Sequence, residues 1–281
     1  MNADFPRGGA HLAMAVYVAW TGLLCALTGD GVAAVAHAAG VALLLLARRH
    51  ADTLWATLLP LALLSPLYVE TGRLSHALWA GRAFDVEVLS LENGLFGRSP
   101  ALWMSERVPS FWISEVLHMC YASFWVVVPL LPLDLYRRSL ARERDGCLLV
   151  IIGTFLCCYL AFMLVPVDGP RGVFPPLDET LRGPFLRLCH AVLDGGAASR
   201  AAFPSGHVAV MIACAACARR WHRPLFPLVA ALAAGVTLCT VYGRFHYALD
   251  ALAGVLFAWR LLAAFGPDAM APPEIDGDAT P

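Results

Sequence analysis

The sequence contains no lysine; all 20 basic residues are arginine. That excludes chemistry built on a lysine amine, such as Schiff-base catalysis and the phosphate loop that relies on a lysine. The all-arginine usage itself reads as GC-rich coding, not as a functional device. Charge of either sign is scarce, at 15% of residues, against 59% hydrophobic residues and a mean hydropathy of +0.66. Soluble domains sit nearer about 45–50% apolar and 25% charged, so that class is excluded. A net charge of −1 gives no bias toward nucleic acid. No internal repeat is found. The nine cysteines read as small apolar packers. Cys214 and Cys217 spell CxxC in mid-span, and no second Cys/His pair stands at zinc spacing. No metal and no cofactor is expected.

What the chain has instead is long apolar runs. Eight are read: His11–Thr28, Gly31–Ala47, Leu54–Val69, Phe111–Leu133, Cys147–Val165, His207–Ala218 with its flanks, Leu225–Val241 and Ala248–Phe265. A bilayer needs about 20 residues per helix, and only helices or closed barrels satisfy their backbone in lipid. The reading is all-α: a polytopic transmembrane bundle of about eight spans. Residues 1–265 form a single membrane domain, with a six-helix catalytic core over about 111–265. The tail 266–281, rich in Pro, Asp and Ala, is expected to be disordered and cytoplasmic. Arg7 before the first run gives it a signal-peptide look. The next run follows at once, so it reads as a retained anchor.

Basic connectors follow the second, fourth and sixth runs: Arg48-Arg49-His50, Arg137-Arg138 with Arg142 and Arg144, and Arg219-Arg220-Trp221-His222-Arg223. The positive-inside rule places them in the cytoplasm. The connectors after the fifth and seventh runs then face outward, as does Glu70–Ser110. Within that segment, Leu89–Gly97 and Leu102–Met104 read as interfacial helix, with Trp79, Trp103 and Trp112 at headgroup depth. The reading is a bacterial plasma-membrane protein with its site on the periplasmic or outer face. No oligomeric state is legible.

The chemistry concentrates in two of those outward connectors. Phe203-Pro204-Ser205-Gly206-His207 opens the sixth run, and Tyr242-Gly243-Arg244-Phe245-His246 precedes the eighth, with Asp250 one turn later. Proline suits the first helical turn, and the amides near Ser205 and Gly206 form an anion-attracting helix N-terminus. His207 projects from that turn as a general acid for a leaving oxygen; the plainer alternative is a polar cap at the membrane boundary. His246 and Asp250, at i and i+4, share a helix face. Asp250 can hold one imidazole nitrogen and leave the other as nucleophile; the alternative is a buried pair that only joins helices. Arg171, between Pro170 and Gly172, and Arg244 read as phosphate clamps, with headgroup snorkelling as the alternative for both. His118 and Tyr121, with Glu115, are candidates to point into a substrate cavity; interhelical hydrogen bonding is the alternative. His37 and His190 read as structural.

Pro204-Ser205-Gly206-His207 followed by the HxxxD of His246–Asp250 resembles the type 2 phosphatidic-acid phosphatase superfamily of membrane lipid phosphatases and phosphotransferases. The resemblance covers about Pro166 to Gly254. It implies that His207 is the acid, His246 the nucleophile and Asp250 its orienting group. Two positions depart from the family's phosphatases. Gly169-Pro170-Arg171 replaces a lysine-containing motif ending in Arg-Pro, and Thr240 stands six residues before His246, where they carry arginine. The run Thr240–Gly254, with Phe84–Gly97 and the span of His118 and Tyr121, is similar to the inositol-phosphorylceramide synthase and sphingomyelin synthase branch. The resemblance implies transfer of a phosphate-containing headgroup between membrane lipids through a phosphohistidine, inositolphosphotransferase-like and without a metal. The alternative is a metal-independent phosphatase of phosphatidate or isoprenyl (di)phosphate. Two further rivals are a hydrolase holding zinc on His207, His246 and Asp250, and a non-catalytic lipid-binding protein.

Overall fold

The computed structural model describes residues 5–196 and 198–265. All regular structure among them is helical: α1 (Gly9–Leu27), α2 (Gly31–Arg49), α3 (Leu54–Leu78), α4 (Asp85–Phe96), α5 (Pro100–Arg107), α6 (Phe111–Ala122), α7 (Phe124–Arg137), α8 (Ala141–Leu164), α9 (Pro184–Gly196), α10 (Gly206–Trp221), α11 (Phe226–Tyr242) and α12 (Ala248–Ala264), with three short 3-10 turns. The tail expected to be disordered, 266–281, lies outside the described residues.

Every apolar run is a helix, with changed boundaries. Among the described residues six helical passes are long and apolar enough to cross a membrane: α1, α2, α3, α6 with α7, α8, and α11 with the turn before it. The chain is a polytopic helical membrane protein. The helices α10 and α12 have 16 and 17 residues, short of the usual span. Shortness is tolerated in α10 because Val208–Met211, Ala213, Cys214 and Ala216–Ala218 are buried in protein. The third run is longer than read, continuing through Pro60 and Pro66 to Leu78, so Glu70 is a helical residue and not the start of a loop. The fourth run is two helices meeting at Ser123.

The helix α8 is the hub. It has small moment and packs on two sides, as a helix apolar all round must. Val150 and Ile151 join Leu131, Met211 and Val236 in one buried cluster. Leu148, Ile152, Tyr159 and Phe162 join Met14, Leu44 and Leu67 in another. The first cluster belongs to α7, α8, α10 and α11, the second to the N-terminal helices and the other side of α8. At the start of α8, Arg144 is not a free connector charge. It is buried and paired with Asp145 at 3.0 Å and with Asp52 at 3.4 Å.

The short helices α4, α5 and α9 lie over one end of this bundle, and α4 and α5 carry the segments expected to be interfacial. Gly97, at φ 75°, closes α4 in the left-handed conformation that favours glycine. All three helices touch the connectors that carry the chemistry.

Candidate active site

Ser205 is the N-cap of α10, its Oγ accepting from the Val208 amide at 3.5 Å. Its own amide donates to the Asp250 carbonyl at 2.9 Å, tying the start of α10 to α12. The tie needs glycine at 254. A Cβ there would stand 2.7 Å from the Ser205 carbonyl oxygen and 3.1 Å from Val208 Cβ. Gly206 and His207 follow in the first turn.

His246 sits in the turn after α11. The amides of Phe245 and His246 both donate to the Thr240 carbonyl, at 3.0 and 2.9 Å, and Arg244, just before them, takes φ 60°. His246 Nδ1 lies 3.5 Å from Asp250 Oδ2, an ion-pair distance too long for a made hydrogen bond. The same oxygen accepts from the Tyr247 amide at 2.9 Å. Asp250 is wholly enclosed, and its other oxygen has no hydrogen-bond partner in protein. Buried orphan atoms of this kind are rare outside functional sites. The His207 and His246 rings stand 6.2 Å apart, centroid to centroid, at 62°. Tyr121 stacks on His207 at 4.7 Å, with its hydroxyl 3.1 Å from Nε2, and Phe124 packs on the ring at 4.5 Å.

The remaining expected residues are placed as follows. Arg171 pairs with Asp194 on α9. It lies close enough to His190 that burial, and then its charge, hold that imidazole below its ordinary range. His190 in turn packs on Phe245 at 5.6 Å, so Arg171 borders the site. Arg244 does not face it as a free clamp. Its guanidinium donates to Ser105 Oγ at 2.8 and 3.3 Å and to the Pro175 and Pro176 carbonyls. A residue at φ > 0 two positions before His246 thereby pins the Pro175–Pro176 segment to that turn. His118 Nδ1 donates to the Ser114 carbonyl at 2.6 Å, and its ring stands edge-on to Phe245. Glu115 accepts from the Phe185 and Leu186 amides and so caps α9. A cavity of about 530 Å³ reaches the site, lined by Leu64, Phe124, Phe155, Phe162, Leu193 and, at its end, Gly206 and His207. His118 and Tyr121 are not among its lining residues; α6 carries them beside Phe245 and His207.

Two residues of the site were missed. Asp85 and Glu92 are seven positions apart on α4, and hence on one face. Asp85 accepts from the Asp168 and Gly169 amides at 2.9 and 2.8 Å and from the Tyr247 hydroxyl at 3.3 Å. Burial, and then that carboxylate, push the Tyr247 phenol above its ordinary range. Glu92 is fully buried and accepts from the Ala248 and Leu249 amides, at 2.6 and 3.3 Å, and from Ser99 Oγ at 2.7 Å. One carboxylate holds the Arg171 loop and the other caps the helix of Asp250. The sequence signals were their seven-residue spacing and the resemblance over Phe84–Gly97, neither of which assigned them a partner.

Among known proteins, a family model described as the PAP2 superfamily matches residues 87–264. No curated protein and no solved structure matches.

Proposed function

The chain belongs to the PAP2 superfamily, a family of membrane enzymes acting on phosphate esters, and from that premise we propose that it moves a phosphate-containing headgroup between membrane lipids through a phosphohistidine on His246. The observation that carries the reading is the paired imidazoles, one backed by an enclosed Asp250, at the end of an apolar cavity. Rings centred 6.2 Å apart put both imidazoles within reach of a single phosphate ester.

In the first half-reaction the His246 lone pair attacks phosphorus. The N–P bond forms as the bond to the leaving oxygen breaks, and His207, which takes up a proton beside the negative charge of the bound phosphate, gives it to that oxygen. Asp250 keeps the hydrogen on Nδ1, so Nε2 is the attacking atom, and steadies the charge the ring acquires. The long Asp250 contact is one that tightens when substrate fills the site. Arg171 and the amides at the start of α10 bind the phosphoryl oxygens. In the second half-reaction neutral His207 takes the proton of an acceptor hydroxyl as its oxygen attacks phosphorus. The N–P bond breaks, and both histidines return to their starting states.

A lipid alcohol is favoured over water as acceptor because apolar space borders the catalytic turn on both sides. The cavity ending at His207 is one. A groove of about 460 Å³, lined by Trp103, Met104, Val241, Ala248 and Ala251, is the other. Donor and acceptor lipids can each lay an apolar tail there, as an inositol-phosphorylceramide synthase type of reaction requires. The basic connectors favour an outward-facing site.

The test is turnover of labelled phosphatidylinositol, phosphatidate and isoprenyl phosphate by purified protein, with and without ceramide or diacylglycerol, in EDTA. Label transferred to the added alcohol is expected. Free phosphate as the sole product would overturn the transferase reading, and no turnover by protein with His246 intact would overturn the enzyme reading.

A further inference from the structure

Cys25, His37 and Glu70 stand on three different helices, α1, α2 and α3. Their ligand atoms nevertheless all fall within 4.8 Å of one another. His37 Nε2 is 2.9 Å from one Glu70 oxygen, and Cys25 Sγ is 3.5 Å from the other. The imidazole is also oriented. Its Nδ1 lies 2.7 Å from the Ala33 carbonyl, which only accepts, so Nδ1 carries a hydrogen, and in the neutral ring Nε2 turns its lone pair to the carboxylate. Two acceptors facing each other at this distance require a proton or a cation between them. A backbone carbonyl on the far nitrogen is also the outer partner that metal-bound histidines use. Gly22, one turn before Cys25 on the same face of α1, provides the notch: a Cβ there would stand 2.5 Å from His37 Cβ. The His37 and Glu70 side chains are only 11% and 18% exposed. None of these residues takes part in the histidine-pair chemistry.

We propose that Cys25, His37 and Glu70 bind a zinc-type divalent cation that fastens the first three helices together. Thiolate, imidazole and carboxylate are the donor types zinc takes. Bonds of about 2.0–2.3 Å at tetrahedral angles place ligand atoms roughly 3.3–3.8 Å apart, which these side chains reach by small shifts. The charge also balances. Zinc(II) with one thiolate, one carboxylate and a neutral imidazole is neutral overall, whereas ionised groups left uncompensated among membrane helices are costly. On binding, the Cys25 S–H bond breaks, S–Zn forms, and the proton leaves to solvent. Water completes the coordination through the exposed edge of His37 and Glu70.

The test uses the full chain in detergent, stripped with chelator and reloaded with Co²⁺ or Zn²⁺. One Co²⁺ per chain is expected, with a thiolate-to-cobalt charge-transfer band that Cys25→Ser abolishes. Glu70→Gln should weaken binding at least about tenfold, and lipid turnover should be unchanged in both variants. If Cys25→Ser does not elute as folded protein, X-ray absorption of the zinc-loaded native chain decides, and one sulfur ligand near about 2.3 Å is expected. The proposal is overturned by the lack of stoichiometric binding or of a sulfur ligand. It is equally overturned by binding that survives Cys25→Ser and vanishes with His246→Ala, which would place the ion at the catalytic pair.

Discussion

At the scale of single residues, the proposed reaction gives the two histidines different chemical tasks, and substitution should separate them. His246→Ala removes the nucleophile, and turnover of every phosphate ester should fall by at least about 10³-fold. His207→Ala removes only the proton for the leaving oxygen. It should lose a similar factor on an alkyl lipid ester yet keep most activity on an aryl phosphate, whose leaving group departs unprotonated. The check is kcat/KM on both substrates; equal losses would remove His207 from the acid's role. The pair and Asp250 were legible in sequence because their chemistry shows in local spacing, i to i+4 for His246 and Asp250 and a Pro-Ser-Gly helix start for His207. The tasks of Arg244 and His118 were not. Arg244 is committed to Ser105 and two proline carbonyls, which lie far away along the chain, and His118 bonds within its own helix while its ring meets the distant Phe245.

At the scale of elements, the catalytic groups are aimed by helices that contribute nothing to the reaction themselves. The helix α4 caps α12 with Glu92 and holds the Arg171 loop with Asp85. Glu92→Gln keeps the size and removes the charge from a buried carboxylate that accepts two amides. Stability should drop by about 1–3 kcal/mol, read as a lower unfolding midpoint in detergent, with kcat falling more than KM rises. A kcat that follows only the fraction folded would reduce Glu92 to a stabilising contact. Gly254→Ala tests the α10 to α12 approach, since the new methyl would meet the Ser205 carbonyl at 2.7 Å. Overpacking of this kind costs about 1–3 kcal/mol, and here it should also reduce turnover by parting Ser205 from Asp250. A stable, fully active variant would show that the two helices can separate without consequence. The helices themselves were legible because hydropathy is a local property. Where they end was less so: α3 runs on to Leu78, since neither Pro60 nor Pro66 interrupts it and Glu70 finds His37 as a partner.

At the scale of the whole molecule, the proposed reaction assigns the lipid tail to the cavity between α3, α7, α8 and α9. Leu193 lines it and lies apart from the histidines. Leu193→Trp should raise KM for a long-chain lipid phosphate about tenfold, the order of one to two kcal/mol of lost apolar contact. A short water-soluble phosphate ester should be unaffected. Equal effects on both substrates would mean that the cavity does not hold the lipid tail.

The sequence by itself determined the membrane class, the helical passes and the pairing of His246 with Asp250. Each of these depends on residues within one turn or one span, where hydrophobicity and helical spacing act directly. Only the tertiary structure decided that His207 meets His246 across 6.2 Å, that α4 supplies Asp85 and Glu92 to two distant connectors, and that Cys25, His37 and Glu70 converge. The physical reason is the same in all three. A buried polar group must find a partner, and in a helical bundle that partner stands on whichever helix the apolar packing brings alongside, at a sequence distance that no local pattern records.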